Sequence, residues 1–127
     1  NRICVRLKRT SRSVCHHCPE IFFQIFCFFS LGVQSSYFAH LLHRAESEGC
    51  DLDTVIQAYN YGSGFIDYVA EHGGKYTLEL SEKFAQQQSG GATVPYDNPI
   101  AVKRNDGWRY AYGNMFYAKL VNQHLVR

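Results

Sequence analysis

Residues 55–64 read Val-Ile-Gln-Ala-Tyr-Asn-Tyr-Gly-Ser-Gly, and they fix what the middle of this chain can become. Leu52, Val55, Ile56 and Tyr59 recur at helical spacing behind Asp51, a residue type suited to cap a helix N-terminus. Gly62 and Gly64 end that helix just after its last apolar position and let another molecule approach the backbone. The tip of such a helix carries Gln57, Tyr59, Asn60 and Tyr61. Asn60 sets a donor beside an acceptor, matching an N-acetyl group, while Tyr59 and Tyr61 offer ring faces with hydroxyls. A plain helix end accounts for one glycine but not for that set of side chains next to two.

The flanking sequence is helical and well punctuated. Val33, Tyr37, Leu41, Leu42 and Ala45 follow helical spacing up to Gly49. Phe65, Tyr68, Val69 and His72 mark a further helix closed by Gly73 and Gly74, and Thr77 caps another running to about Gln87 with Leu78 and Phe84 inward. Residues 89–106 hold two of the three prolines and read as a long loop with a short strand at 100–103. Tyr117, Leu120, Val121 and His124 give a last helix. The expected architecture is mainly α, without repeats or low-complexity tracts.

Residues 1–30 differ in kind from residues 31–127. They contain no glycine, one acidic residue (Glu20) and five of the nine phenylalanines, with a basic stretch ahead of the apolar run 21–29. That order resembles a signal peptide or membrane anchor, although a bilayer span needs about 20 apolar residues. A buried hydrophobic helix is the plain alternative. A third is a stretch from a shifted reading frame joined to a domain that is intact from about Ser30, which would leave the fold N-terminally incomplete.

Charge and cysteines exclude several classes. The net charge of +2 is misleading, because Arg2, Arg6, Lys8, Arg9 and Arg12 carry five of the 13 basic residues. The 8 that remain face 11 acidic residues, a balance of −3 for positions 13–127, so no basic surface supports nucleic-acid binding. Four of five cysteines crowd the first 27 residues, which is not how a disulfide scaffold distributes them. A length of 127 residues makes one domain that packing alone can hold.

A second aromatic segment, Trp-Arg-Tyr-Ala-Tyr-Gly-Asn-Met-Phe-Tyr at 108–117, could line a saccharide groove or supply core and a helix start, with Asn114 as the cap. Together with 67–76 (Asp-Tyr-Val-Ala-Glu-His-Gly-Gly-Lys-Tyr) and 99–103 (Pro-Ile-Ala-Val-Lys), these segments resemble the CwlT-type lysozyme-like domain of Gram-positive cell-wall hydrolases. Residues 58–62 are similar to the Ala-Tyr-Asn-x-Gly motif of the wider superfamily of goose-type lysozymes and lytic transglycosylases. The resemblance runs from about Gly32 to the C-terminus. It implies a mainly α lysozyme-like fold and cleavage of the β-1,4 bond between N-acetylmuramic acid and N-acetylglucosamine in peptidoglycan. It also implies a glycan groove lined by Gln57, Tyr59 and Asn60 with Tyr61 and Gly62, and by Tyr112 and Tyr117. The family acts outside the cytoplasmic membrane, at the cell wall, is often anchored, is often fused to a peptidase domain and needs no cofactor.

Family members place a catalytic Glu in a Glu-Ser/Thr-x-Gly context in an early helix, several dozen residues before the Ala-Tyr-Asn segment. That acid must stay protonated to reach the leaving oxygen, which takes a partly desolvated pocket. Residues 1–30 should hold it, yet the neighbours of Glu20, Pro19 and Ile21, do not match the motif. Glu46-Ser-Glu-Gly imitates it only 13 residues before Tyr59, at a helix end, and reads as a solvated connection. No catalytic residue is therefore assigned, and a non-catalytic peptidoglycan-binding remnant is the alternative function. Cys15, His16, His17 and Cys18 are too contiguous to wrap one tetrahedral ion, and the remaining histidines stand singly, so no metal site is expected. Nothing marks Cys50 as an activated thiol.

Overall fold

Asp51 starts the central helix as expected, because its carboxylate accepts from the Thr54 amide at 3.2 Å and the Thr54 hydroxyl at 2.6 Å. In the computed structural model, which describes residues 32–125, this helix is α2 (Leu52–Tyr61). It ends at Gly62, whose φ of 96° only glycine adopts without strain. Before it runs α1 (Gly32–Glu48), and after it α3 (Gly64–Ala70) and α4 (Leu78–Ser89). Strand β1 (Thr93–Pro95), α5 (Pro99–Asn105), β2 (Trp108–Tyr110) and α6 (Tyr117–Asn122) complete the described chain.

The fold is mainly α because α2 is wrapped by helices on most of its circumference. Thr54, Val55, Ile56, Gln57, Ala58 and Tyr61 are all buried, a wider sector than the apolar stripe alone would give. Against them pack Leu41, Leu42 and Ala45 of α1, Phe65, Ile66 and Val69 of α3, Phe84 of α4, and Met115, Phe116 and Val121 around α6. Each of these side chains larger than alanine contributes about 1.5–3 kcal/mol through burial. The Arg44 guanidinium also bridges both Asp67 carboxylate oxygens at 2.7 and 2.9 Å, joining α1 to α3. Exposed pairs of this kind contribute at most about 1 kcal/mol, so apolar packing dominates.

The two ends of this helical layer meet at Gly49 and Gly74. A Cβ at Gly74 would lie 2.7 Å from the Gly49 carbonyl oxygen, and the Gly74 carbonyl accepts from the Asp51 amide at 3.1 Å. Asp51 accepts in addition from the Tyr76 amide, so one cap residue fixes both turns. Thr77 caps α4 through the Leu80 amide at 3.1 Å, in agreement with the sequence.

Residues 100–103 form part of helix α5 and not the expected strand. Asn98 accepts from the Ile100 amide at 3.0 Å and Pro99 occupies the first turn, where its missing N–H does no harm. The small sheet instead pairs β1 with β2, antiparallel, with Thr93 opposite Tyr110 and Pro95 opposite Trp108. No described helix is long and apolar enough to cross a membrane. Residues 1–30, with the anchor-like run, Glu20 and the Cys15–Cys18 cluster, lie outside the described residues.

Candidate functional site

The C-terminal turn of α2 meets the loop between β2 and α6 at one bond: Asn60 Oδ1 accepts from the Asn114 amide at 2.7 Å. Gly113 makes that approach feasible. Its φ is 50°, and a Cβ there would sit 2.5 Å from Asn60 Oδ1 and 3.0 Å from the Tyr61 ring. The Tyr112 hydroxyl donates to the Tyr61 carbonyl at 3.1 Å, and Gln57 reaches across with both ends of its amide. Its Nε2 donates to the Asn114 carbonyl at 2.9 Å and its Oε1 accepts from the Ala118 amide at 3.0 Å. The two aromatic segments singled out in the sequence are thus stitched into one surface.

Position by position, the side chains divide into two groups. Gln57 is 0% exposed and serves as a remote cap for α6, whose own first residue supplies no side-chain cap. It holds the site from within and presents nothing to a groove. Tyr61 is buried as well: its hydroxyl donates to the Ser81 carbonyl at 3.1 Å, and its ring centroid lies 5.3 Å from those of Phe65, Phe84 and Tyr112. Gly62 is the helix terminator. Asn60 is exposed, and Tyr59, Tyr112 and Tyr117 are half-buried, so these four carry whatever the surface offers a ligand.

Around Tyr59 the structure adds an aromatic partner that the sequence did not single out. Tyr37 of α1 is 41% exposed with its ring 5.7 Å from that of Tyr59. Its helical register had suggested a core position. Burial raises the Tyr59 phenol, helped by Tyr37, and pushes the Tyr117 phenol up to about 12, with Tyr59 as a lesser cause. Both hydroxyls therefore stay protonated, able to donate and accept, across the neutral range.

Two further residues hold the loop and were not legible as site residues. The Asn114 side-chain Nδ2 donates to the Tyr96 hydroxyl at 3.0 Å, and the Tyr96 ring stacks on Phe116 with an interplanar angle of 9°. The Arg109 guanidinium lies 5.4 Å from the centre of the Tyr96 ring and donates to the Tyr110 and Gly113 carbonyls. Asn114 itself accepts from the Phe116 amide at 2.9 Å, so its expected capping role is realised one residue short of the helix.

The ten carboxylates of the described residues all have other places. Asp51 caps α2, Asp53 accepts from Asn122, Asp67 pairs with Arg44, and Glu79 and Glu82 face Arg104. Glu71, Asp97 and Asp106 are exposed at element ends. Glu46 and Glu48 close α1, and Glu46 lies nine residues, about 13 Å of helix rise, beyond Tyr37. His40, His43, His72 and His124 are exposed.

A helical layer around a buried signature helix, with this junction at its tip, defines the class: the chain belongs to the lysozyme-like family, whose profile matches residues 30–125. More narrowly, its similarities are consistent with a CwlT-type lysozyme-like domain. It is 43% identical over 60 residues to the bifunctional muramidase/DL-endopeptidase CwlT of Bacillus subtilis strain 168, a match over 47% of this chain and 17% of that protein. The uncharacterized membrane protein YocA of the same organism is 40% identical over 86 residues, 68% of this chain and 38% of the other. A pneumococcal vaccine antigen A homolog of Streptococcus pyogenes serotype M1 is 34% identical over 94 residues, 68% of this chain and 47% of the other. The crystal structure of a protein similar to lipoprotein, NLP/P60 family, from Staphylococcus aureus Mu50 superposes with a TM-score of 0.72 at 47% identity. That match covers 85% of this chain and 40% of the solved one. The chain spans less than half the length of each of these relatives.

Proposed function

We propose that this domain acts on the glycan strands of peptidoglycan, at the cell envelope, on the β-1,4 bond between N-acetylmuramic acid and N-acetylglucosamine. The observation that carries the reading is the stitched junction at the tip of α2. Asn60 keeps Nδ2 available while Oδ1 binds Asn114; Tyr59 stands in the same last turn of α2 with Tyr117 near it, and Tyr112 packs on Tyr61. Such a set suits a sugar: flat rings for pyranose faces and an amide for the N-acetyl group. The similarity to CwlT, a bifunctional muramidase/DL-endopeptidase, supports the same reading.

Cleavage as a muramidase or lytic transglycosylase requires one carboxylic acid, held neutral in a dry pocket, to protonate the leaving oxygen. The placement of the ten described carboxylates favours a second reading beside this one, glycan binding without cleavage. Glu20, the remaining carboxylate of the chain, falls outside the described residues.

Purified protein mixed with Gram-positive sacculi separates these readings. Co-sedimentation with clearing of the suspension supports cleavage, and Glu20→Gln then asks whether that residue is the acid. Co-sedimentation without clearing leaves binding alone. Protein that stays in the supernatant overturns both.

A further inference from the structure

Strand β2 has two faces with different fates. Arg109 points toward Tyr96 and the Asn60 junction, so by strand alternation Trp108 and Tyr110 point to the opposite side. There they border a shallow depression of about 350 Å³ between the strand, α4 and the end of α5. That volume is at the lower end of small-ligand sites, which run from roughly 300 to 1,000 Å³.

The chemistry of the walls is specific. The Trp108 and Tyr110 rings meet edge to face, 5.0 Å apart at 84°, and both are half-buried. The Trp108 backbone is clamped by Asn105, which donates to its carbonyl at 2.9 Å and accepts from its amide at 3.0 Å. Opposite stand Gln86 and Lys83, both exposed, and the Arg104–Glu82 pair, bidentate at 2.9 and 3.0 Å. Arg104 also faces Glu79 at 3.7 Å, so its charge is already balanced and Lys83 is left as the lone cation of the lining. One lysine is a poor basis for phosphate, and the polar walls are a poor basis for an acyl chain. A fixed aromatic platform ringed by planar amide, carboxylate and guanidinium groups suits a neutral ring that is apolar on its face and hydroxylated at its edge.

We propose that this depression is a second glycan-binding site, taking one or two N-acetylated pyranose units away from the Asn60 junction. The inference rests on the reading that glycan is the ligand of this domain. Two contacts on one polymer raise the apparent affinity for insoluble wall without either being strong alone.

Titration of the full chain, uniformly labelled with nitrogen-15, with soluble N-acetylglucosamine tetramer tests this. Saturable shifts of the Trp108 indole N–H and the Gln86 side-chain amide are expected. The surface variant Gln86→Ala should weaken that response roughly three- to tenfold, as loss of one hydrogen bond does, and leave the Asn114 amide response unchanged. Shifts confined to Asn60, Gly113 and Asn114 overturn the second site while keeping the proposed function. Shifts at Trp108 with a silent Asn114 keep the second site and remove the first. Silence everywhere removes both.

Discussion

Asn60 and Asn114 face each other across 54 positions of sequence, side chain to backbone, with Gly113 the residue that lets them close to 2.7 Å. Gly113→Ala places a methyl in the space of Asn60 Oδ1 and forces a non-glycine residue into the left-handed region. A loss of about 1–3 kcal/mol in urea denaturation is expected, together with an upfield-shifted Asn114 amide as its hydrogen bond lengthens. An unchanged midpoint and amide shift would show that the loop accommodates the methyl elsewhere.

Asn60 itself allows stability and recognition to be separated. Asn60→Asp retains the oxygen that holds Asn114 and deletes the free Nδ2 donor, whereas Asn60→Ala deletes both. The aspartate variant should match the parent within about 0.5 kcal/mol in denaturation yet lose sacculus binding as fully as alanine. Equal binding by parent and Asn60→Asp would remove the amide from the recognition argument.

Gln57 is expected to behave in the opposite way. Gln57→Leu leaves the Ala118 amide without its partner at a buried position, while the Asn114 carbonyl loses one donor and keeps the Tyr117 amide at 3.0 Å, at a cost of about 1–3 kcal/mol. Thermal denaturation should show a marked drop. Residual binding, measured well below the melting point, should fall no further than loss of folded protein explains.

Alkaline pH should destabilise the domain progressively. Burial, then the Asp51 charge, pushes the Cys50 thiol from its ordinary value of 9.0 up to about 11, and its Sγ donates to the Ile66 carbonyl at 3.6 Å. A raised folded-state value means the fold favours the neutral thiol. Its contribution is therefore complete below pH 9 and disappears as pH rises through 11, up to roughly 2–3 kcal/mol. Tyr117, raised from 10.0 to about 12, follows at higher pH. Urea midpoints between pH 8 and 11.5 should fall for the parent and fall less for Cys50→Ala.

Much of the helical layer was readable because its signals are local. Asp51 and Thr77 cap the next turn, and Gly49 and Gly62 end the turn before, so sequence neighbours decide the outcome. The helix at Pro99–Asn105 was hidden because a proline in a Gly- and Pro-bearing stretch reads as a breaker, although Asn-Pro is also a cap followed by a first helical residue. In the candidate site, the segments were legible and the duties of their side chains were not. Gln57 and Tyr61 share a polar-looking motif with Asn60, but their partners, Ala118 and Ser81, lie 61 and 20 positions away. Periodicity likewise put Tyr37 on an inward stripe without showing that its outer half stays open to solvent.

The last helix has six residues, fewer than the roughly 12–15 a peptide needs to stay helical unaided. It therefore depends on an acceptor donated from the middle of the chain, and the α2 tip in turn depends on the strand of backbone leading into that helix. Loss of the Ala118 amide contact would free α6 and leave the Gln57 Oε1 without the partner it has in the fold. Order at the tip of α2 and order in α6 are, in this domain, one cooperative property.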